Sequence, residues 1–185
     1  QGTYLGMIPA GWTMDVTESY HMVSSTTNWA QGDVMNFDIT ITAEQLKGTV
    51  VLEDKNQVAP WMVLAGNDIN GTLTYGVKDA AFNFSFAGKA PLASTGYSLI
   101  VYKEAWSSPS DSAWPRSVIV LASATSDGSG NVTIPQTSID FGYNLLNSKV
   151  WLVKTADLTG NTLSTYTPNA YLFETGLMDY YDSSN

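Results

Sequence analysis

GTLTYGVKDAAFNFSFA, residues 71–87, alternates apolar and polar side chains in two successive runs. Leu73, Tyr75 and Val77 are the apolar members of the first run, and phenylalanine occupies every second position of the second, residues 82–86. Successive side chains of a strand point to opposite faces, so each run predicts a strand with one apolar face. Because the polar pair Lys78-Asp79 separates the two runs, the whole stretch predicts a β-hairpin.

Further runs rich in β-branched and aromatic residues also predict strands, and Gly- and Asn-rich turns separate them. The clearest is Asp33–Ile41, in which Met35, Phe37, Ile39 and Ile41 lie on one face. Because Pro60 cannot donate a ladder hydrogen bond, the run that contains it is expected to be an edge or bulged strand. The remaining predicted strands are Thr49–Glu53, Val58–Leu64, Tyr97–Lys103, Ser117–Ala124, Asn131–Ile134, Lys149–Lys154 and Ala170–Glu174.

These runs predict the all-β fold class. No long segment has a helical period, and eight or nine short strands with polar turns are typical of a single β-sandwich. We expect mainly antiparallel strands in an immunoglobulin-like or jelly-roll-like arrangement. Residues 1–30 are predicted to be an extended N-terminal segment and residues 31–185 to form the β-sandwich domain.

The composition excludes several classes of function. The net charge is −9, and the eight Lys and Arg residues are scattered over 185 positions, whereas nucleic-acid binding needs clustered basic side chains. No run of 18 apolar residues occurs, so we predict no membrane span. The sequence has no cysteine, which excludes disulfides and thiolate chemistry. A charged fraction of only 14% favours a secreted protein, and a start at Gln1 fits a mature chain after removal of a signal peptide.

No constellation typical of an active site occurs. His21 is the one histidine, and it lies in no motif that would pair it with a nucleophile. With 17 Asp and Glu residues, some carboxylates will be neighbours by chance, and none lies in a recognisable acid–base motif. We therefore predict that the protein is not an enzyme.

Two tryptophans of the long segment 104–115, Trp106 and Trp114, are the candidate ligand-binding residues. Exposed aromatic rings stack on the apolar faces of sugars, so the pair could form a carbohydrate platform. Aromatic side chains occur far more often in cores and subunit interfaces, and we favour that interpretation.

Calcium is the one cofactor for which the sequence offers candidate ligands. The ion needs six to eight oxygen ligands. Asp127 in the turn SDGSGN lacks companion ligands at the spacing of an EF-hand loop. Asn67, Asp68 and Asn70 of GNDING could donate oxygens from a loop, although a polar turn explains them better. We predict no cofactor and keep calcium as the alternative.

Three acceptor triplets for N-glycosylation begin at Asn70, Asn83 and Asn131. Asn83 lies on the polar side of the phenylalanine-rich strand, and the other two begin strands. A glycan at any of the three is expected to leave the core undisturbed.

Three segments of residues 97–157 resemble β-sandwich domains of secreted archaeal cell-surface proteins, methanogens included. The segments are YSLIVY (97–102), TSDGSGNVTI (125–134) and SKVWLVKTAD (148–157). Residues 32–41, GDVMNFDITI, are similar to the early strand of fibre-forming sandwich proteins of the TasA and camelysin kind. The resemblance implies an all-β fold and an extracellular location, and it implies no catalytic residue.

We expect a secreted structural subunit that assembles with copies of itself into an extracellular filament, tube or surface layer. Subunit interfaces favour Tyr, Trp and Met, which this sequence has in number. The apolar segment Gln1–Met14 is predicted to be a strand that is donated to the open sheet edge of a neighbouring copy. The alternative is a carbohydrate-binding or adhesive cell-surface module with Trp106 and Trp114 in one patch.

Overall fold

The structure is a computed structural model that describes residues 13–17, 47–57, 60–101 and 115–184. The chain forms two compact units, Gln1–Glu44 and Gln45–Asn185. Of the first unit only residues 13–17 are described, and they belong to no helix or strand. The predicted strand Asp33–Ile41 and the predicted boundary after residue 30 therefore lie outside the described residues.

The described part of the second unit is all-β, which confirms the fold class that the alternation predicts. Its strands in chain order are β1 (Lys47–Glu53), β2 (Asn70–Gly76), β3 (Lys78–Asp79), β4 (Phe82–Lys89), β5 (Gly96–Val101), β6 (Arg116–Ser117), β7 (Ile119–Thr125), β8 (Asn131–Ile139), β9 (Leu145–Ser148), β10 (Val150–Lys154), β11 (Leu158–Thr159), β12 (Thr162–Leu163), β13 (Leu172–Glu174) and β14 (Met178–Asp182).

Eight strands form one antiparallel sheet in the order β7-β5-β10-β13-β1-β2-β4-β8, which we call the main sheet. Its two edge strands, β7 and β8, follow each other in the chain, and the sheet rolls into a nearly closed barrel. The predicted hairpin of residues 71–87 is present, since Leu73 opposes Phe86 and Tyr75 opposes Phe84.

The core lies on the inner face of the main sheet. One cluster of buried side chains includes members from each of its eight strands. In β4, Phe82, Phe84 and Phe86 are buried while the residues between them are not, as a period of two requires. Phe82 and Phe84 stack with their ring centroids 5.3 Å apart. The apolar side chains of the alternating runs therefore line a single apolar interior.

A second apolar cluster covers the outer face of the main sheet at β5, β10 and β13. Ile100, Val153 and Phe173 of these strands pack with Val118 and with Leu163 from the small sheet β11-β12-β6. These three strands are therefore buried on both faces, which explains why their sequences are continuously apolar rather than alternating.

A second small sheet, β3-β14-β9, contributes to the same core. Met178 and Tyr180 of β14 belong to the inner cluster, and Tyr180 meets Phe82 edge to face at 5.1 Å. The Tyr180 hydroxyl donates to the Asp79 carbonyl at 2.7 Å. Burial and the neighbouring carboxylates, Asp182 first among them, raise the pKa of Tyr180 to about 12, so this hydroxyl stays a donor at physiological pH.

The predicted strand Val58–Leu64 is wrong. Residues 60–64 form a loop whose only strand-like pairing within the described residues is an isolated bridge between Lys55 and Val63. Pro60 lacks the amide hydrogen that a ladder needs, and Trp61 has a φ of 53°, which an extended strand does not contain.

Several predicted strands have different bounds in the structure, and the predicted strand Ser117–Ala124 is divided at Val118 between β6 and β7. Ala170 ends a 3-10 turn that begins at Pro168, so β13 starts two residues later than the predicted strand Ala170–Glu174. β8 runs past Ile134 to Ile139, because a register shift against β4 lets Pro135 lie in this edge strand.

β2 and β4 approach each other closely at a pair of glycines. Gly71 and Gly88 are opposite each other in the two strands. A Cβ at Gly88 would lie 2.4 Å from the Gly71 Cα and 2.5 Å from the Asn70 carbonyl oxygen. No side chain fits there, so the two glycines are required by the strand spacing.

We expect Gly88→Ala to lower the free energy of unfolding by about 1–3 kcal/mol, because overpacking forces the backbone to shift. Urea unfolding followed by circular dichroism measures the change. Gly128→Ala is the matched control, since nothing lies within 4 Å of a Cβ at that position. Equal stability of the two variants would contradict the close approach.

Candidate functional site

Four consecutive apolar side chains are exposed in the loop between β1 and β2. Trp61 is 54% exposed, Met62 is 63% exposed, and Val63 and Leu64 are each 43% exposed. We call residues Pro60–Leu64 the apolar loop. Single exposed apolar side chains are common on any monomer, whereas a contiguous exposed run indicates a contact surface.

Backbone hydrogen bonds fix the base of the apolar loop. The Asp54 amide donates to the Ile69 carbonyl at 3.3 Å, and the Leu64 amide donates to the Asp54 carbonyl at 2.9 Å. One step further out, the Asn56 amide donates to the Met62 carbonyl at 2.9 Å. These bonds extend the β1–β2 hairpin beyond its strands, so the loop projects from an ordered stem.

Side chains attach this stem to neighbouring elements. The Asn67 side-chain amide donates to Asp54 Oδ2 at 3.1 Å, across the base of the loop. Lys55 Nζ donates to the Glu174 carbonyl oxygen at 2.5 Å and so connects the stem to β13. The apolar loop is therefore held by the main sheet as well as by its own hairpin.

The carboxyl group of Glu174 lies at this attachment point and is buried, with only 9% of the residue exposed. Lys149 Nζ is 3.7 Å from its Oε1 atom. Burial raises the pKa of the Glu174 carboxyl, and the positive charge of Lys149 lowers it by less. Desolvation therefore dominates, and the group retains its proton to higher pH than an exposed glutamate.

The chemistry of the apolar loop is suited to binding. Its side chains offer no nucleophile, acid, base or metal ligand of the usual kinds. Trp and Met are enriched in the centres of protein interfaces, and Trp is frequent among the residues that dominate binding energy. The sequence signal for this surface is the uncharged run VAPWMVLAG, residues 58–66, which contains a proline and lies between two turns.

Three residues singled out from the sequence lie outside the described part of the chain. They are Trp106 and Trp114, the candidate sugar platform, and His21. Their roles stay predictions.

The three glycosylation triplets differ in the surroundings of the asparagine. Asn70 and Asn131 are exposed at the starts of β2 and β8. The Asn131 side-chain amide donates to Asp127 Oδ2 at 2.8 Å. Asn83 is half-buried, and its amide donates to Asp79 Oδ2 at 2.6 Å. A glycan on either of these amide nitrogens would disturb such a bond, so Asn70 offers the most accessible acceptor of the three.

The oxygens considered for calcium have other partners. Asp68 Oδ2 is 2.6 Å from Lys89 Nζ, and the hydrogen bond with Lys89 lowers the pKa of Asp68. Asn67 Oδ1 accepts from the Ile69 amide at 3.3 Å. Asp127 Oδ1 accepts from two backbone amides of its own turn, at 2.8 Å each. In the described ranges no group of three His, Cys, Asp or Glu residues is placed to hold a metal ion.

Comparisons with known proteins add no relative. The chain matches no protein-family model, no curated protein and no solved structure. The resemblance to secreted archaeal surface domains therefore stays a prediction. Within the residues that the structure describes, no helix has the length and apolar character needed to cross a membrane.

We expect Glu174→Gln to flatten the dependence of stability on pH above 4.5, the ordinary pKa of the group. Burial raises the folded-state pKa, so between these two pKa values the folded chain binds more protons than the unfolded chain, and the free energy of unfolding falls as pH rises. Glutamine does not titrate, so this part of the fall disappears.

Urea unfolding at a series of pH values from about 4 to 8 measures this dependence. The unchanged chain, measured under the same conditions, is the control and should show the full fall. The same pH dependence in the Glu174→Gln variant and the unchanged chain would contradict the role of burial at Glu174.

Proposed function

We propose that the protein is a secreted structural subunit that assembles with copies of itself into an extracellular filament, tube or surface layer. The observation that carries this proposal is the exposure of the apolar loop. Burying a side chain such as Met62 or Leu64 in a contact is worth about 1.5–3 kcal/mol, whereas a solitary monomer leaves that surface in water. The loop is thus a surface that needs a partner.

A protein partner fits this surface better than a lipid membrane. The net charge of −9 opposes approach to anionic lipid headgroups. The combination of an exposed Trp61 with Met62 on an ordered stem is typical of the centre of a protein interface. These properties support assembly between protein subunits.

The edges of the main sheet support a second contact, the donated strand. Each edge strand has a register shift against its neighbour, and β8 also contains Pro135, which cannot donate to an added strand. β7 contains no proline, so we assign the acceptor edge to β7. The proposed donor, Gln1–Met14, lies outside the described residues except for its last two positions.

An exposed acceptor at Asn70 agrees with the proposal of a glycosylated surface protein. The alternative function, a carbohydrate-binding or adhesive module, requires Trp106 and Trp114 in one exposed patch. Because both tryptophans lie outside the described residues, the alternative rests on the sequence alone.

We expect the double substitution Trp61→Ser/Met62→Ser to weaken self-association by a hundredfold or more. Losing the burial of two large apolar side chains costs about 3 kcal/mol or more, and about 1.4 kcal/mol corresponds to a factor of ten. Sedimentation velocity over a dilution series measures the association constant. Leu146→Ser is the control, because Leu146 is 45% exposed but lies in β9. If the double variant associated as strongly as the unchanged chain, the apolar loop would not be the contact.

Deleting residues 1–14 is expected to abolish large assemblies and to leave the smaller species that form through the apolar loop. The donated strand adds backbone hydrogen bonds along the edge of a neighbour, and no other segment is proposed to supply them. Negative-stain microscopy shows the large assemblies, and sedimentation shows the smaller species. Filaments or layers of normal appearance from the truncated chain would exclude strand donation.

A further inference from the structure

An open cavity of about 480 Å³ lies beside the end of β10. Its walls include Leu92, Lys154, Tyr166, Pro168 and Ala170, with Asn169 beside them. Leu92 is 42% exposed and Tyr166 is 41% exposed, so large apolar surfaces line an opening to solvent. The volume falls in the range of about 300–1,000 Å³ that is typical of ligand pockets, which gives room for an aromatic side chain.

A buried carboxylate fixes one wall of this cavity. Asp157 is 4% exposed, and its Oδ2 atom accepts hydrogen bonds from the Tyr171 hydroxyl at 2.6 Å and from the Thr167 hydroxyl. Its carbonyl oxygen accepts from the amides of Ser164 and Thr165. The segment between β12 and β13 is therefore held at several points, and the cavity has a preformed wall.

The cavity and the apolar loop lie at the same end of the main sheet. β1 and β10 are both antiparallel to β13, which lies between them, so β1 and β10 run in the same direction. The apolar loop follows the end of β1 at Glu53, and the cavity adjoins the end of β10 at Lys154. Across β13, Glu53 is level with Trp151, two strand spacings or about 10 Å away, and Lys154 lies three residues, about another 10 Å, further along the same direction.

We propose that two copies of the chain join end to end across a two-fold axis, with the apolar loop of each copy seated in the cavity of the other. This proposal rests on the proposed function, because it names the first contact of the assembly. A two-fold contact places the same two surfaces together twice, loop to cavity and cavity to loop. One partner therefore satisfies all four surfaces.

The chemistry of the loop matches that of the cavity. Indole is the ring that best accepts an ammonium group over its face, and Lys154 lines the cavity that would receive Trp61. Leu92 and Tyr166 supply apolar surface for the side chains that follow in the loop. The protruding run of one copy thus meets, in the other, a recess with apolar walls and the Lys154 ammonium group, which lies 3.9 Å from Asp157 Oδ1.

The area available is that of a modest interface. The exposed parts of the four loop side chains and of Leu92 and Tyr166 amount to roughly 600 Å² per copy, against about 800 Å² per partner in a standard interface. A dimer of this kind is more stable with both loops seated than with one, because each seated loop contributes about half of this area. Loss of one loop is therefore expected to have a large effect.

The arrangement closes at two copies. Loop and cavity at opposite ends of the sheet would repeat from copy to copy and produce an open chain, whereas loop and cavity at one end are both used by a single partner. Growth beyond the dimer then requires a different surface, such as the edge of β7.

Cysteine trapping in the full-length chain tests the contact, because the natural sequence has no cysteine. Met62→Cys and Asn169→Cys variants are mixed and oxidised with diamide, and a disulfide-linked dimer is expected only in the mixture. Leu146→Cys mixed with Asn169→Cys is the matched control and should give no dimer above background. Absence of the cross-link, while sedimentation shows that the unchanged chain associates, would overturn the loop-to-cavity contact and leave the proposed function standing.

The double variant Met62→Cys/Asn169→Cys tests closure. A two-fold contact gives cross-linked dimers and no larger species on non-reducing gels after dissociation of non-covalent contacts. A ladder of trimers and tetramers would overturn the two-fold arrangement, and a cross-linked monomer as the sole product would overturn exchange between copies. Absence of association in the unchanged chain at any concentration would overturn the proposed function as well.

Leu92→Glu tests the cavity without cysteine. The backbone bonds of Leu92, from its amide to the Tyr97 hydroxyl and from the Ser126 hydroxyl to its carbonyl, do not involve the side chain, so the fold should be kept. Sedimentation is expected to show association weakened at least tenfold. A mixture of Leu92→Glu with Trp61→Ser/Met62→Ser should regain part of the lost dimer, because one loop and one cavity remain intact. Association of Leu92→Glu equal to that of the unchanged chain would overturn the role of the cavity.

Discussion

The burial of one continuous apolar face by rolling a single sheet is the constraint on which the rest of the structure depends. Each of the eight strands of the main sheet adds side chains to the same interior, and β4 contributes three buried phenylalanine rings to it. Such an interior requires neighbouring strands to approach each other closely, which explains why Gly71 and Gly88 lie opposite each other. The apolar side chains of the loop that follows β1 are not needed in this interior, so they can contact a partner without weakening the core.

The strands that alternate were predictable from the sequence, and the elements that deviate from alternation were not. β2 and β4 follow directly from residues 71–87 because one of their faces is buried and the other is not. The composition of Val58–Leu64 is typical of a strand. Pro60 and the left-handed backbone at Trp61 are incompatible with a strand, so Pro60–Leu64 form the apolar loop instead. In β14, the buried residues Met178 and Tyr180 alternate with exposed ones. The strand was not predicted, because it is short and contains two aspartates. The cavity could not be predicted from the sequence, because its walls come from separate loops that only the fold brings together.

Polar side chains fix the geometry of the loops at the end of the main sheet that carries the apolar loop. Asp127 organises the turn between β7 and β8 by accepting from the Asn131 side-chain amide and from backbone amides of that turn, and these hydrogen bonds lower its pKa. Asp157 does the same from a buried position for the connection to β13, and Asp54 with Asn67 braces the stem of the apolar loop. Acidic residues that could suggest catalysis or metal binding in the sequence thus serve to fix loop geometry. An ordered loop loses less entropy on association, which favours a contact of small area.

The order of strands in the main sheet has a consequence for how the chain folds. β1, β2 and β4 lie side by side and close together in sequence, so their pairing requires only comparatively short loops to close. β1 and β13 are also neighbours, and Lys55 and Glu174 at this seam are 119 residues apart. Long-range pairing of this kind forms slowly, because closing a large loop costs conformational entropy before the stabilising contacts have formed. During synthesis, the half of the sheet that contains the phenylalanines can pair first, but the barrel stays open along the β1–β13 seam until β13 has been synthesised.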